Sequence, residues 1–438
     1  MAEPTPPPVP PSDVGDAMPP TPQVLPSAIV APGATTRGFR SILANRRYLL
    51  YQSSVIVATT GYSVYAVSIP WLAFQNSGSF LVVGLVLFVE VGIYALTFLV
   101  APWVDRTADK RAIFLVGFPI QAVAALILGF TASRGELHLP LLLGLVAVLS
   151  VIWDFEWAVF QVAPRLLLSK DELFAAQGIS GALGGGAAIG GFAAGAGFIL
   201  LSGVSGSAYL YAGLLLVATA LASRVPLRGA QSAEPGYFAG FLEGWEYLRS
   251  AEGRPLLQLG MLDAVVGFFA TAPALLITLF ADRSFPDPSF AYGILFTAFV
   301  VGGVAVDLTL GHFNPRKRIG FVLVGGLAAA AVALALAGIA PPELLATAAA
   351  WAMAGGALGG YTSGKFTFQW GYVPGDRLAR VTSNLYVFPG VSGAAGALVV
   401  GDLAGAIPGS SLVELIAGIF ALAVLLALLL PAVRRFAF

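Results

Sequence analysis

From residue 48 onward the chain keeps returning to apolar runs long enough to cross a bilayer. Twelve such runs are read, at residues 48–74, 80–103, 112–132, 139–163, 176–202, 206–223, 256–280, 290–311, 319–339, 344–370, 382–402 and 412–432. A helix covers the ~30 Å hydrocarbon layer in about 20 residues, and within that layer every backbone N–H and C=O must be paired by a helix or a closed barrel. Runs of this length predict helices. The expected fold is therefore an all-α membrane protein of twelve transmembrane helices. Charged residues are only 11% of the chain, the hydrophobic share is 58% and the mean hydropathy is +0.85, whereas soluble domains are about 25% charged.

The same composition closes several routes to function. With no cysteine there is no disulfide, no thiolate metal site and no thiol redox chemistry. The two histidines, His138 and His312, fall in expected loops far apart in sequence, so neither a metal centre nor a cofactor is expected. Net charge is zero, and no basic field points to nucleic acid as a partner. No Walker-type phosphate loop with its terminal Ser or Thr occurs, which argues against an ATP-driven pump. No nucleophile–base spacing marks an enzyme.

Residues 1–36 are a different material. They hold eleven of the 29 prolines and too little apolar surface to offset the entropy of ordering, so a disordered cytoplasmic tail is expected. The tail lacks the basic and apolar regions of a secretory signal. Lysine and arginine accumulate on the cytoplasmic side of membrane proteins. With twelve spans, 20 of the 23 fall on the face shared by the tail and the even-numbered loops, while the opposite face has Arg134 and Arg283 and Lys365 lies inside a span. Both termini are therefore expected in the cytoplasm, with the chain in the cell membrane.

Between residues 37–224 and 255–438, two six-helix bundles are expected, joined by a cytoplasmic linker at 225–254. In that linker Phe238, Phe241, Leu242, Trp245 and Leu248 follow helical spacing, which predicts a helix lying along the inner interface. The two bundles echo one another at an offset of 207–210 residues. Arg46-Arg47-Tyr48-Leu49-Leu50 returns as Gly253-Arg254-Pro255-Leu256-Leu257, Lys110-Arg111 as Lys317-Arg318, and the helix-ending Val162-Ala163-Pro164 as Tyr372-Val373-Pro374. Two repeated halves suit a transporter that rocks one half against the other.

Between the second and third runs lies the charged loop Ala101-Pro102-Trp103-Val104-Asp105-Arg106-Thr107-Ala108-Asp109-Lys110-Arg111. It resembles the signature cytoplasmic loop of the major facilitator superfamily, an Asp-Arg pair followed by a basic cluster, here Asp105-Arg106 and Lys110-Arg111. Within that superfamily the chain is most similar to the branch containing enterobactin and macrolide exporters. The stretches that carry this are Ala44-Asn45-Arg46-Arg47, Ile69-Pro70-Trp71-Leu72, and residues 164–177 and 244–257. Two family features are missing: the acid often found midway along the first helix, where this chain has Gly61-Tyr62, and the Gly-Pro often found in the fifth.

An ionisable group at the bilayer centre costs about 2.5–3.5 kcal/mol on insertion scales, so each one needs a reason. Glu90, Asp154, Glu156, Asp263 and Lys365 are the candidates for proton coupling or central charge pairing, with Asp307 read as structural. Asp154 and Glu156 precede Pro164 by ten and eight residues and Lys365 precedes Pro374 by nine, which puts them at equal depth under the repeat. Residues two apart on a helix point about 200° apart, so only one of Asp154 and Glu156 can face a central space squarely. The resemblance implies that the first, fourth, seventh and tenth helices line a common cavity. On that basis Lys365 is expected to pair with a carboxylate in one conformation and release it in another; a static pair is the other reading.

Tyr62, Tyr65, Trp157, Gln161, Gln369 and Asn384 are candidates for the substrate cavity, alongside Trp71, Gln121, Trp153, Phe366, Trp370 and Tyr386. Ordinary helix packing is the other reading for each aromatic. Small-residue patterns at Gly181, Gly185, Gly186, Gly190, Gly191 and Gly195, and at Gly390, Gly393, Gly396, Gly401 and Gly405, predict close helix contact. The resemblance places the fifth and eleventh helices between the halves, where rocking occurs. Asp105, Arg106, Asp109, Lys110 and Arg111 are expected to form a cytoplasmic gate, with Asp105 meeting the start of the eleventh helix near residues 380–382 and Arg106 or Arg111 pairing with Asp376 or Asp109.

The reading that follows is a monomeric secondary transporter in a lipid bilayer, moving a small organic molecule by alternating access with proton-coupled export. An importer or facilitator of the same fold, or a transport-dead membrane sensor or scaffold, are the alternatives.

Overall fold

The computed structural model describes residue 42, residues 44–168, 170–228, 239–269, 272–313, 319–341, 343–373 and 378–431, and residue 433. Within them the chain is helical almost throughout, with a single isolated β-bridge between Asp109 and Arg228. The helices are α1 (Arg46–Ser77), α2 (Phe80–Tyr94), α3 (Thr97–Arg106), α4 (Arg111–Arg134), α5 (Leu139–Leu167), α6 (Lys170–Ala222), α7 (Ala239–Arg249), α8 (Arg254–Phe268), α9 (Ala272–Ser284), α10 (Pro288–Phe313), α11 (Ile319–Ile339), α12 (Leu344–Tyr372), α13 (Leu378–Ala406) and α14 (Gly409–Leu429).

Twelve crossings follow. Among the described residues ten segments have the length and apolarity to cross a membrane. One of them belongs to α6, which is two helices joined at Gly203, where φ 69° and ψ −176° reverse the chain. That positive φ is open to glycine at little steric cost. The twelfth crossing is α12, long enough at 29 residues but diluted by glycines and by Lys365. Large apolar side chains point outward along these helices, with Leu201 86% and Leu345 83% exposed. Hydrocarbon rather than water is the surrounding that suits them.

Four differences from the sequence expectation have physical causes. The second crossing is two helices, α2 and α3, interrupted at Ala95 and Leu96. The seventh is likewise split into α8 and α9. The charged loop is shorter than expected, because α3 stays helical through Arg106. Finally, Pro164 does not end its helix, and α5 runs on to Leu167. Proline has no N–H for the carbonyl four residues back, that of Phe160. The Tyr51 hydroxyl donates to that carbonyl at 3.2 Å, which lets the helix continue.

Each half packs on itself. In the first, α1 lies along α6, and α4 and α5 close the bundle with α2. In the second, α12 sits between α10 and α11, α11 meets α14, and α13 lies on α8. Asn45 shows how the first half is pinned: its side chain caps α1 by accepting from the Tyr48 N–H, while its amide donates to the Leu167 carbonyl at the end of α5.

The halves meet along two seams, α2 against α13 and α6 against α10. The first seam is a close backbone approach. A Cβ on Gly84 would collide with the Ala397 carbonyl oxygen, and one on Gly401 would lie 2.9 Å from the Phe80 carbonyl. Gly390 presses on the interruption in the second crossing, where its Cβ would be 2.7 Å from Ala95 Cα. The expected glycine patterns divide differently from the sequence reading. Gly191 and Gly195 serve contact with α1 inside the first half, and Gly396 serves contact with α8 inside the second. Between the halves the sixth helix uses Gly185, which faces Val304. The side chains at positions 181 and 182 lie outside the described residues.

On the face that carries the Gly78 and Gly135 turns, the halves are also locked by side chains. Tyr292 donates to the Val67 carbonyl at 2.7 Å and its ring stacks on Trp71. Arg283, held by the Ala404 and Ile407 carbonyls of its own half, lies over the Phe80 ring of the other at 5.2 Å.

Candidate functional site

Two polar groups stand inside the bundle, one in each half. In the second half, Lys365 on α12 donates to both oxygens of Asp263 on α8, at 2.9 and 3.2 Å. Tyr361, one turn before Lys365, donates to the same carboxylate at 3.2 Å. Four residues apart on a helix share one face, so α12 presents a cation and a hydroxyl together to Asp263. All three side chains are buried.

In the first half a cavity of about 170 Å³ is lined by side chains from α1, α2, α5 and α6, among them Tyr62, Tyr65, Glu90, Tyr94, Trp153 and Asp154. The interruption after Tyr94 shapes its wall. The Thr97 hydroxyl donates to the Tyr94 carbonyl at 2.6 Å, satisfying a group the break leaves open, and lies 3.3 Å from Asp154. Irregular backbone at membrane depth is tolerated where it lines such a space. Tyr62 donates to Glu90 at 3.2 Å and stacks on Trp153, with ring centroids 3.9 Å apart.

Asp154 and Glu156 part company, as their spacing requires. Asp154 lines the cavity, whereas Glu156 turns away into the packing between α4 and α5, fully buried, with neither oxygen partnered among the described residues. Gly117 makes room for it: a Cβ there would sit 2.7 Å from Glu156 Oε1. Asp307 accepts from Ser363 at 2.6 Å, on the flank of α12.

The lining candidates scatter. Tyr62 and Tyr65 face the cavity. Trp157 stacks on Trp153 one turn further along α5, outside the lining. Gln369 is buried, its carbonyl oxygen unpartnered among the described residues, and Asn384 donates to the Phe241 carbonyl of α7. The side chains of Gln161 and Trp370 lie outside the described residues. Tyr94, Thr97, Tyr211, Ser150 and Tyr361 were not singled out from the sequence. Only Tyr361 left a signal there, its i, i+4 relation to Lys365.

A string of rings joins the two groups. Tyr94 meets Tyr386 at 5.4 Å across the seam, Tyr386 meets Phe366 edge-on at 6.4 Å, and Lys365 Nζ lies 5.1 Å from the centre of the Phe366 ring.

Of the expected gate, Lys110 is buried and donates to the Val104 and Thr107 carbonyls at 3.0 and 3.1 Å, capping α3. Its own N–H donates to Leu227, and Arg111 donates to Ser223 and pairs with Asp109 at 3.5 Å. The loop is thus sewn to the segment after α6. Arg106 is exposed. The side chain of Asp105, and Asp376, lie outside the described residues, as do residues 1–36 and Phe238. Helix α7 meets protein on its inner side: Phe241 packs on Phe98, Trp245 stacks on Phe388, and Arg380 pairs with Glu243 at 2.5 Å, leaving Leu242 exposed.

No protein-family model matches the chain, and no curated protein matches it in sequence. Solved structures do match its fold. The nucleoside transporter NupG superposes over 88% of this chain and 98% of its own with a TM-score of 0.67 at 12% identity. A POT family transporter in complex with 5-aminolevulinic acid covers 89% and 96%, with a TM-score of 0.69 at 9% identity. A bacterial homologue of the iron transporter ferroportin, in its inward-facing state, covers 90% and 98%, with a TM-score of 0.61 at 14% identity. At such identities what is shared is the fold. The chain is a multi-pass membrane protein with the major facilitator fold.

Proposed function

We propose that the protein is a secondary transporter that carries a small organic molecule across the cell membrane by alternating access, coupled to protons in the direction of export. The observation that carries this is the buried Lys365–Asp263 pair, held between α12 and α8 in a fold of two halves that meet along close seams. A buried pair is weak evidence for stability, since well-packed apolar side chains often serve as well. A pair whose partners exchange is a way to link a proton to a conformational change. When a proton binds the Asp263 carboxylate, the neutral acid no longer holds the Lys365 ammonium, and α12 and α8 are free to part. Loss of that proton on the other side restores the pair.

Export follows the resemblance to enterobactin and macrolide exporters, and cytoplasmic termini follow the distribution of lysine and arginine. The six-helix units at 37–224 and 255–438, the linker at 225–254 and a monomeric state complete the proposal. The test is a screen of organic compounds on protein reconstituted in vesicles with an internal pH dye. The wild type is expected to give a solute-dependent pH change. Lys365→Met and the neutral double variant Asp263→Asn/Lys365→Met are expected to give none while still inserting and folding. Proton-coupled flux that survives in the folded double variant would overturn the proposal.

A further inference from the structure

Two acids and no base line the cavity of the first half. Glu90 is partly buried and receives one hydrogen bond, from Tyr62. Asp154 is 2% exposed and, among the described residues, has one hydrogen-bond neighbour, the Thr97 hydroxyl at 3.3 Å, which it shares with the Tyr94 carbonyl at 2.6 Å. Among the described residues no lysine, arginine or histidine pairs with either carboxylate, although the other half supplies Asp263 with a lysine. Tyr65 also lines the cavity; it is 4% exposed, and the group beside its hydroxyl is the Ser150 hydroxyl, so no charge meets it there. The remaining wall is aromatic: Tyr62 and Trp153 are stacked, and Tyr65 meets Tyr62 at 5.9 Å and Tyr211 at 5.5 Å.

We propose that this cavity binds a small organic cation, an ammonium head carrying one ring or a short chain, with Glu90 and Asp154 as its counter-ions and the rings of Tyr62, Tyr65 and Trp153 as its wall. Ring faces attract such a head through their quadrupoles, and they do so most strongly where water is excluded. The size fits: an apolar cavity of about 150 Å³ takes one benzene, and this one is about 170 Å³. A divalent metal fits less well, since no group of three or more His, Cys, Asp or Glu side chains among the described residues is placed to hold one. The ring string from Tyr94 to Lys365 gives the bound cation a packed route to the ion pair of the other half. The assignment deepens the transport reading, on which its purpose rests.

The test is equilibrium binding to the purified full-length protein in nanodiscs, followed by Trp fluorescence and calorimetry. Benzylammonium is the probe, with the near-isosteric benzyl alcohol and benzoate as neutral and anionic comparators. Wild-type protein is expected to bind the cation at least tenfold more tightly than either comparator, a result that needs no variant. Glu90→Gln and Asp154→Asn are each expected to weaken it about tenfold, and benzyl alcohol binding is expected to be unchanged by them. A cation bound no better than the alcohol would overturn the proposal. So would unchanged affinity in both folded variants, or Mn²⁺ bound more tightly than the organic cation and lost in the same variants. The two readings fail separately. Tight cation binding with no solute movement in vesicles would sink transport and leave the site. Coupled movement of a neutral or anionic solute with no cation binding would do the reverse.

Discussion

Removing one member of the Lys365–Asp263 pair should be worse for the fold than removing both. At 2.9 Å and an effective dielectric of about 20, two unit charges attract by roughly 6 kcal/mol. Most of that offsets the desolvation of the two ions, so the net worth of the pair is small. The loss is felt when one ion stays behind. In Lys365→Met the Asp263 carboxylate keeps, among the described residues, the Tyr361 hydroxyl alone at 3.2 Å, and stranding one member of a buried pair costs about 3–5 kcal/mol. Asp263→Asn strands the ammonium and should cost a similar amount. The double variant Asp263→Asn/Lys365→Met removes both charges, and the amide can still accept from Tyr361. It should lie within about 1–2 kcal/mol of wild type, so the cycle should report a coupling of about 3 kcal/mol or more, well above the ~0.5 kcal/mol within which independent sites add. Unfolding in graded SDS, followed by Trp fluorescence at fixed lipid and pH, reads the four species. Singles as stable as wild type, or a double as weak as the sum of the singles, would refute the reasoning.

Three further outcomes are expected. Gly84→Val places a branched side chain against the Ala397 carbonyl; overpacking of this kind costs about 1–3 kcal/mol, and spin-label distances between α2 and α13 should lengthen. Tyr292→Phe removes a 2.7 Å bond to Val67 across the halves, worth about 0.5–1.5 kcal/mol; the population open on the Gly78 face should rise up to about tenfold, read by labels near Gly78 and Ser284. Lys110→Met leaves the Val104 and Thr107 carbonyls without their cation, and a loss of about 1.5–3 kcal/mol per charged hydrogen bond should appear as faster hydrogen exchange at the end of α3.

The twelve crossings were legible because hydrocarbon imposes one rule on every segment, and that rule is local: a run long and apolar enough must be helical. Charge placement was legible for the same reason, as Glu90, Asp154, Asp263 and Lys365 stand out against their surroundings. Which acid meets Lys365 was not. That depends on how helices are ordered around each half, a property of contacts a hundred residues apart. Pro164 misled because the hydroxyl that rescues its helix comes from Tyr51, in another crossing. The break after Tyr94 has only Gly92, three residues before Ala95, to announce it, and no proline. It is met instead by Gly390 of a distant helix and satisfied by Thr97. Asn384, read as a cavity amide, spends its donor on α7 because the linker folds back over α13.

The stitching of the loop after α3 to Leu227 and Arg228 fixes one end of the inter-bundle connection, and the Arg380–Glu243 clasp fixes the other. With both ends of that connection tied to named partners, any shift of one half against the other has to pass over the bearing at Gly84 and Gly401, where backbone lies directly on backbone.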